Sequence, residues 1–358
     1  MDEKTKSSIF SRVIIILLIG LVLFLSNKEN QSKFVNYINS LTTAGKSLQV
    51  AKSLSIDGPI EKVAYRNNKI LVWGSNKLTL YDLNGSKDWE KEFSLNNPNV
   101  LFGKERVYVY DSTLGDIYCL SFSGDTLERI QIGTGIKSIT ENGERLIVHT
   151  IEQNNEGLKI LDFNGNIVDN RSVESKILTY SIDEDNKAYG ICTLNLAGDS
   201  IKTQVQVYEI KRDLVSSLSL ENEISLYVKL IGKNKLLVLT DKGLHLIEGD
   251  VVLWKKELEN IKDIYVDENN NINILNDNTF QIISKDGDIK DKYSFTQDYD
   301  RIIPLNNYTV LWESGYIVGL QEGKEVFKYQ PKDEIYDVVE GEKHLIVVYQ
   351  NRIDLLSY

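Results

Sequence analysis

Eight strand-like apolar runs recur at a period near forty residues, and six turn glycines keep the same period. No long amphipathic helical pattern interrupts them from about residue 48 onward. Together these predict an all-β fold, an eight-bladed β-propeller over residues 48–358, with seven blades as the alternative if the fourth and fifth copies are misread. A charge-free apolar run near the N-terminus places one transmembrane helix ahead of the propeller.

In chain order, the run "VIIILLIGLVLFL" spans Val13 to Leu25, thirteen residues without a charge. With Ile9, Phe10 and the tolerated serines 7, 8, 11 and 26 the low-polarity stretch reaches the ~20 residues a bilayer core requires. Arg12 can snorkel from its cytoplasmic end. A cleavable signal peptide is the rival reading, but "SNKENQSKF" after Leu25 offers no pair of small residues for a cleavage site. No cysteine follows the run, which argues against a lipoprotein anchor. The expectation is therefore a short cytoplasmic head (1–6), an uncleaved anchor (7–27), a polar tether (28–47) and a propeller outside the cytoplasm (48–358). Lys4, Lys6 and Arg12 before the span, against Lys28 and Lys33 after it, give this orientation a bias of one charge.

The second strands of the eight copies start at Lys69, Arg106, Arg145, Lys187, Lys235, Ile272, Tyr308 and His344, spaced 36 to 48 residues apart. Gly85, Gly124, Gly165, Gly249, Gly287 and Gly323 follow the third strands. The fourth copy breaks the rule, with "EIKRDLV" where the others carry glycine. Each copy resolves into four strands. In the first these are 60–65, 69–75, 77–83 and 88–95, the middle pair nearly all apolar and the last alternating with charges. The eighth copy supplies only three strands before the chain stops, while residues 48–56 alternate like an outer strand. That segment is expected to complete the last blade and so remove an exposed edge.

Composition bounds the function. With 42% hydrophobic and 26% charged residues the chain is globular, and a net charge of −11 without a basic stripe argues against nucleic-acid binding. Cys119 and Cys192 sit in apolar strand-like runs 73 residues apart and read as buried small apolar residues, with one disulfide left open.

Third strand, Asp/Asn-Gly turn, then a bulky residue four or five positions on: Gly85 with Trp89, Gly249 with Trp254 and Gly323 with Phe327 have this form. Gly124 with Leu127 and Gly165 with Val168 match in part. The pattern resembles the pyrroloquinoline-quinone-type propeller repeat, in which the aromatic packs between neighbouring blades. The same type includes the assembly lipoprotein of the outer-membrane β-barrel machinery, and the anchored arrangement resembles a family of single-span clostridial propeller proteins. The resemblance implies the fold, and Trp89 at the seam between blades. The quinone enzymes of that type hold a calcium ion with Glu, Asn and Asp, often beneath a vicinal disulfide. This chain has no adjacent cysteines, and no such ligand set is identified, so no cofactor is assigned.

Other chemistry is thin. His149, His245 and His344 lie in or beside strands without metal-ligand spacing, and read as packing or surface histidines. "AGKS" at 44–47 has Ser40 where a phosphate loop needs glycine. "DEDNK" (183–187) and "DENNNIN" (267–273) place Asp267, Asn269 and Asn271 in calcium-like alternation, but Ile272 replaces the required glycine. Both stretches fall between strands, where Asp and Asn cap their own turns. Asp333 and Glu334 read as loop residues, and no G-x-S-x-G elbow occurs.

Catalytic, cofactor and metal residues are accordingly expected to be none. The favoured function is a non-catalytic binding or scaffold module of the cell envelope, held to the membrane by its N-terminal helix, with an envelope protein, peptide or glycan as partner. The alternative is a propeller hydrolase or lyase acting on an envelope or extracellular glycan or ester. A purely structural envelope component is the third reading.

Overall fold

Alternating and continuous apolar runs become strands here, and turn residues separate them at each expected point. The computed structural model describes residues 46–358 except 154, 197–199, 232–233, 306–307, 343 and 358. The expected head, the anchor and all but the end of the tether lie outside the described residues. No helix among the described residues is long and apolar enough to cross a membrane.

The strands form eight sheets, an eight-bladed β-propeller. Blade 1 comprises Lys62–Arg66, Lys69–Gly74, Lys77–Asp82 and Lys87–Glu92. Its neighbours repeat that order through blade 6, which ends with Ile289–Ser294. All eight second strands begin within one residue of the positions expected. Blade 7 (Arg301–Leu305 to Lys324–Tyr329) gains a fifth strand: Lys46–Ser47 pairs parallel to its outer strand. The last two residues of the expected tether thus belong to a sheet. Blade 8 takes Asp337–Glu340, Leu345–Val348 and Arg352–Ser357 from the chain's end and Gln49–Ser55 from its start. Ser53 Oγ donates to the buried Asp354 carboxylate across that pairing (2.6 Å).

Two compact units make up the chain. One contains residues 51–260 and 345–355, and includes blades 1 to 5; the other contains the described residues to Val50, 261–344 and 356–358, and includes blades 6 and 7. Within each, the core lies between blades. Trp73 and Leu80 of blade 1 pack with Val107 and Leu120 of blade 2, and Val207 of blade 4 packs with Leu236 and Ile247 of blade 5. In the other unit Leu275 and Phe280 meet Leu311 and Val318. Each such side chain, fully buried, contributes roughly 1.5–3 kcal/mol.

The turn glycines serve these seams. Gly124 has φ +89°, and a Cβ there would lie 2.9 Å from the Trp89 ring of the preceding blade. Trp89 therefore sits at the seam, as expected. Gly323 (φ +72°) is likewise covered by Tyr293 and Gly165 by Ile130. In blade 2 the seam residue is Ile130 and not Leu127, which is 48% exposed. A six-residue offset from the glycine reaches the neighbour there, because strand alternation sends Leu127 to solvent.

Candidate functional site

Two of the three histidines form matching buried pairs with glutamates. His149, on the second strand of blade 3 (Arg145–Glu152), is 3% exposed, and its Nε2 lies 2.9 Å from Glu156 Oε2 on the adjoining strand. The same oxygen accepts the Ile177 N–H of blade 4 (2.8 Å), so the pair fastens one blade to the next. Lys137 and Lys176 lie 3.5 and 3.4 Å from the other oxygen. Burial raises the Glu156 pKa, but the Ile177 N–H, His149 and Lys137 outweigh it and hold the carboxyl below the usual range. Burial also pushes His149 below its ordinary value, over the opposing pull of Glu156. The imidazole is neutral at pH 7, and its Nε2–H donates to the carboxylate.

Blade 5 repeats the device. His245, 2% exposed, meets Glu223 Oε2 at 2.8 Å, Thr240 Oγ1 donates to the same oxygen at 2.6 Å, and Lys255 Nζ reaches the other at 2.9 Å. Against burial, the Thr240, Lys255 and His245 contacts bring Glu223 down to about 2. Burial lowers His245 as well. Both pairs are sealed from solvent, so their chemistry is structural: they satisfy buried charge and brace strands. The glutamates escaped sequence reasoning: Glu156 shares its strand ("NEGLKIL") with Asn155 and Lys159, so its polarity does not stand out.

His344 is half-buried at the entry to the second strand of blade 8. Asp267 caps its own turn, its Oδ1 accepting the N–H groups of Asn269 (2.9 Å) and Asn271 (2.7 Å). Asp183 does the same for Lys187 and Ala188 at 2.6 and 2.9 Å. Turn capping, as expected, is what the calcium-like stretches do. Asp333 and Glu334 lie exposed before blade 8. Cys119 and Cys192 are buried and unbridged, and burial raises their thiols to about 12 and about 11. Among the described residues no group of three or more His, Cys, Asp or Glu is placed to hold a metal ion.

A groove of about 590 Å³ is formed by residues at the hairpin turns of blades 3 to 5. Arg145, Lys187, Lys211 and Arg212 line it with Asp183 and Glu209, over an apolar floor that includes Val168 and Ile210. A smaller hollow of about 240 Å³ lies on blade 1, beside Thr79, Tyr81 and Glu90. A volume of several hundred Å³ with mixed polar and apolar lining suits a ligand or short peptide.

Among solved structures, Sqt1 of Saccharomyces cerevisiae aligns with a TM-score of 0.64 at 9% identity, covering 87% of this chain and 100% of that one. BamB from Moraxella catarrhalis aligns with a TM-score of 0.55 at 11% identity, over 87% of this chain and 100% of its own. At such identities the likeness is one of fold. No curated protein matches the sequence. Residues 42–357 match a family described as a family of unknown function, DUF5711, and the chain belongs to that family.

Proposed function

We propose that this protein is a membrane-anchored, extracytoplasmic binding or scaffold module of the cell envelope that performs no chemistry of its own. One observation carries the reading. Both His–Glu pairs brace blades beneath the surface, whereas a groove of about 590 Å³ among turn residues is open and able to hold a partner. Strands make a rigid frame and turns present side chains from it, the arrangement that suits recognition. The anchor rests on the charge-free run from Val13 to Leu25, and the outward orientation on a short head before a long folded tail.

The test uses the full chain in intact cells. Added protease should cleave the propeller without permeabilisation, and a photo-crosslinker at Lys211 should capture a discrete envelope partner. Protection of the propeller until the cells are opened would overturn the location. Turnover of envelope glycans or esters at catalytic rates by the purified chain would overturn the non-catalytic role.

A further inference from the structure

The fourth blade is where the repeat departs from its own rule, and the departure builds the groove. In blades 1, 2, 3 and 6 the third strand leads into a turn closed by a glycine N–H donating to a carbonyl three residues back, as Gly85 does to Asp82 (3.0 Å). Blade 4 keeps that closure, Arg212 N–H to Glu209 carbonyl at 3.1 Å, but without glycine. The positive φ falls instead on Lys211, at +63°. Among the described residues Lys211 is the only cation in the left-handed region, where a residue with a Cβ is strained.

The neighbouring blade holds this strained turn in place. Asp169 Oδ2 accepts the Lys211 N–H (3.2 Å) and the Tyr189 hydroxyl (3.1 Å). Arg171 donates from Nη2 to the Arg212 carbonyl (3.0 Å) and lies over the Tyr208 ring at 4.5 Å. These contacts fix the turn in one conformation. What it achieves is to set two adjacent cations on the groove, in a chain whose net charge is −11.

The lining cations differ in occupation. Arg212 pairs with Glu209 (2.7 Å) and Lys187 with Asp185 (3.1 Å). The Asp183 carboxylate is taken up by its own turn. Lys211 has no carboxylate within ion-pair distance among the described residues, while Arg145 lies opposite Asp162, whose carboxyl it helps hold low, with its Nε–H buried without a hydrogen-bond partner.

We infer that the groove binds an acidic, extended peptide segment of a partner protein, with Arg145 and Lys211 as its carboxylate-binding residues. The inference rests on the binding-module reading and names the partner's chemistry. A carboxylate suits a guanidinium fork, and the apolar floor suits the aliphatic side chains between acids. Asn186 and Asn234, both donor and acceptor, can meet peptide backbone. Asp183 and Glu209 in the same wall disfavour a dense phosphate polymer, which would bring charge to every part of the groove.

The test presents the full-length chain with three probes. These are fluorescein-labelled hexapeptides with Asp or Glu alternating with Ala, Val or Leu, the same set with Lys for the acids, and sodium polyphosphate. The acidic set should bind selectively and weaken as NaCl rises from 50 to 500 mM. Arg145→Gln and Lys211→Gly should each weaken binding about tenfold, and Lys104→Gln, at an exposed lysine outside the groove lining, should leave it unchanged. Lys211→Gly also restores glycine to a left-handed position, so its Tm should be no lower than that of the parent. Equal binding of acidic and basic sets, preference for polyphosphate, or indifference to both groove substitutions would each overturn the inference. A partner crosslinked on another face while the acidic set fails would overturn the groove assignment and leave the binding role standing.

Discussion

Replacing Gly124 by alanine tests the account of the blade seams most directly. Two effects add. The φ of +89° forces the new side chain into a conformation costing about 1–2 kcal/mol. Its Cβ would also lie 2.9 Å from Trp89 Cδ2 and Cε2, so the indole, packed against the core between blades 1 and 2, must move. Overpacking of this kind costs roughly 1–3 kcal/mol, for a total of about 2–5 kcal/mol. Gly249→Ala is the control: φ is +66° with nothing within 4 Å of the added Cβ, leaving only the backbone cost of about 1–2 kcal/mol. Urea unfolding of the full-length chain, followed by tryptophan fluorescence, measures both. Repeating Gly124→Ala in a Trp89→Ala background should reduce its cost to that of the control, a coupling of about 1–3 kcal/mol. Equal costs for the two glycines, or a Gly124→Ala cost unaltered by removing the indole, would refute the seam argument.

Three other outcomes follow from the same geometry. Glu223 is held at about 2 in the fold against an unfolded value of 4.5, so its contribution is present above pH 4.5 and lost as pH falls toward 2. Its size is on the order of 3 kcal/mol, and Glu223→Gln should flatten the acid limb of an unfolding curve. His149 and His245, depressed by burial, act in the same direction just below pH 6.5, since there the unfolded chain binds protons that the fold resists. Cys119 and Cys192, with thiols at about 12 and 11, should resist alkylation at pH 8 in the native chain and react in urea. Leu54→Asp should destabilise the chain by at least ~3 kcal/mol in a melt, because Leu54 is buried on the strand that completes blade 8. Val50→Asp, near the start of that strand where the side chain is 43% exposed, should cost under ~0.5 kcal/mol.

Period, strand order and the contribution of residues 49–55 to the last blade were legible because each rests on local signals. Apolar alternation, turn chemistry and a regular spacing are written into consecutive residues. The glycine gap at "EIKRDLV" was legible too, as a blank in the count; only the structure turned it into a strained Lys-Arg turn beside a groove. The partial match at Gly124 and Leu127 left the seam residue of blade 2 open, and the structure puts Ile130 there. Which of Leu127 and Ile130 faces inward depends on strand register, and a bulge between Thr126 and Glu128 shifts it. The His149–Glu156 and His245–Glu223 pairs, Asp169 beneath Lys211, and Arg145 beside blade 4 were beyond reach for a related reason. Their partners lie on other strands, from 7 residues away for His149 and Glu156 to 42 for Asp169 and Lys211, and which side chains meet depends on strand register and blade packing.

The sequence by itself determined the forty-residue period, the second strand of each copy and the segment that completes the last blade, since periodic burial and turn closure are decided within a few residues. Only the tertiary structure decided which polar side chains are sealed within blades and which line an open groove. That choice depends on how the sheets twist and stack, a sum of many contacts between distant residues and not a property of any one segment.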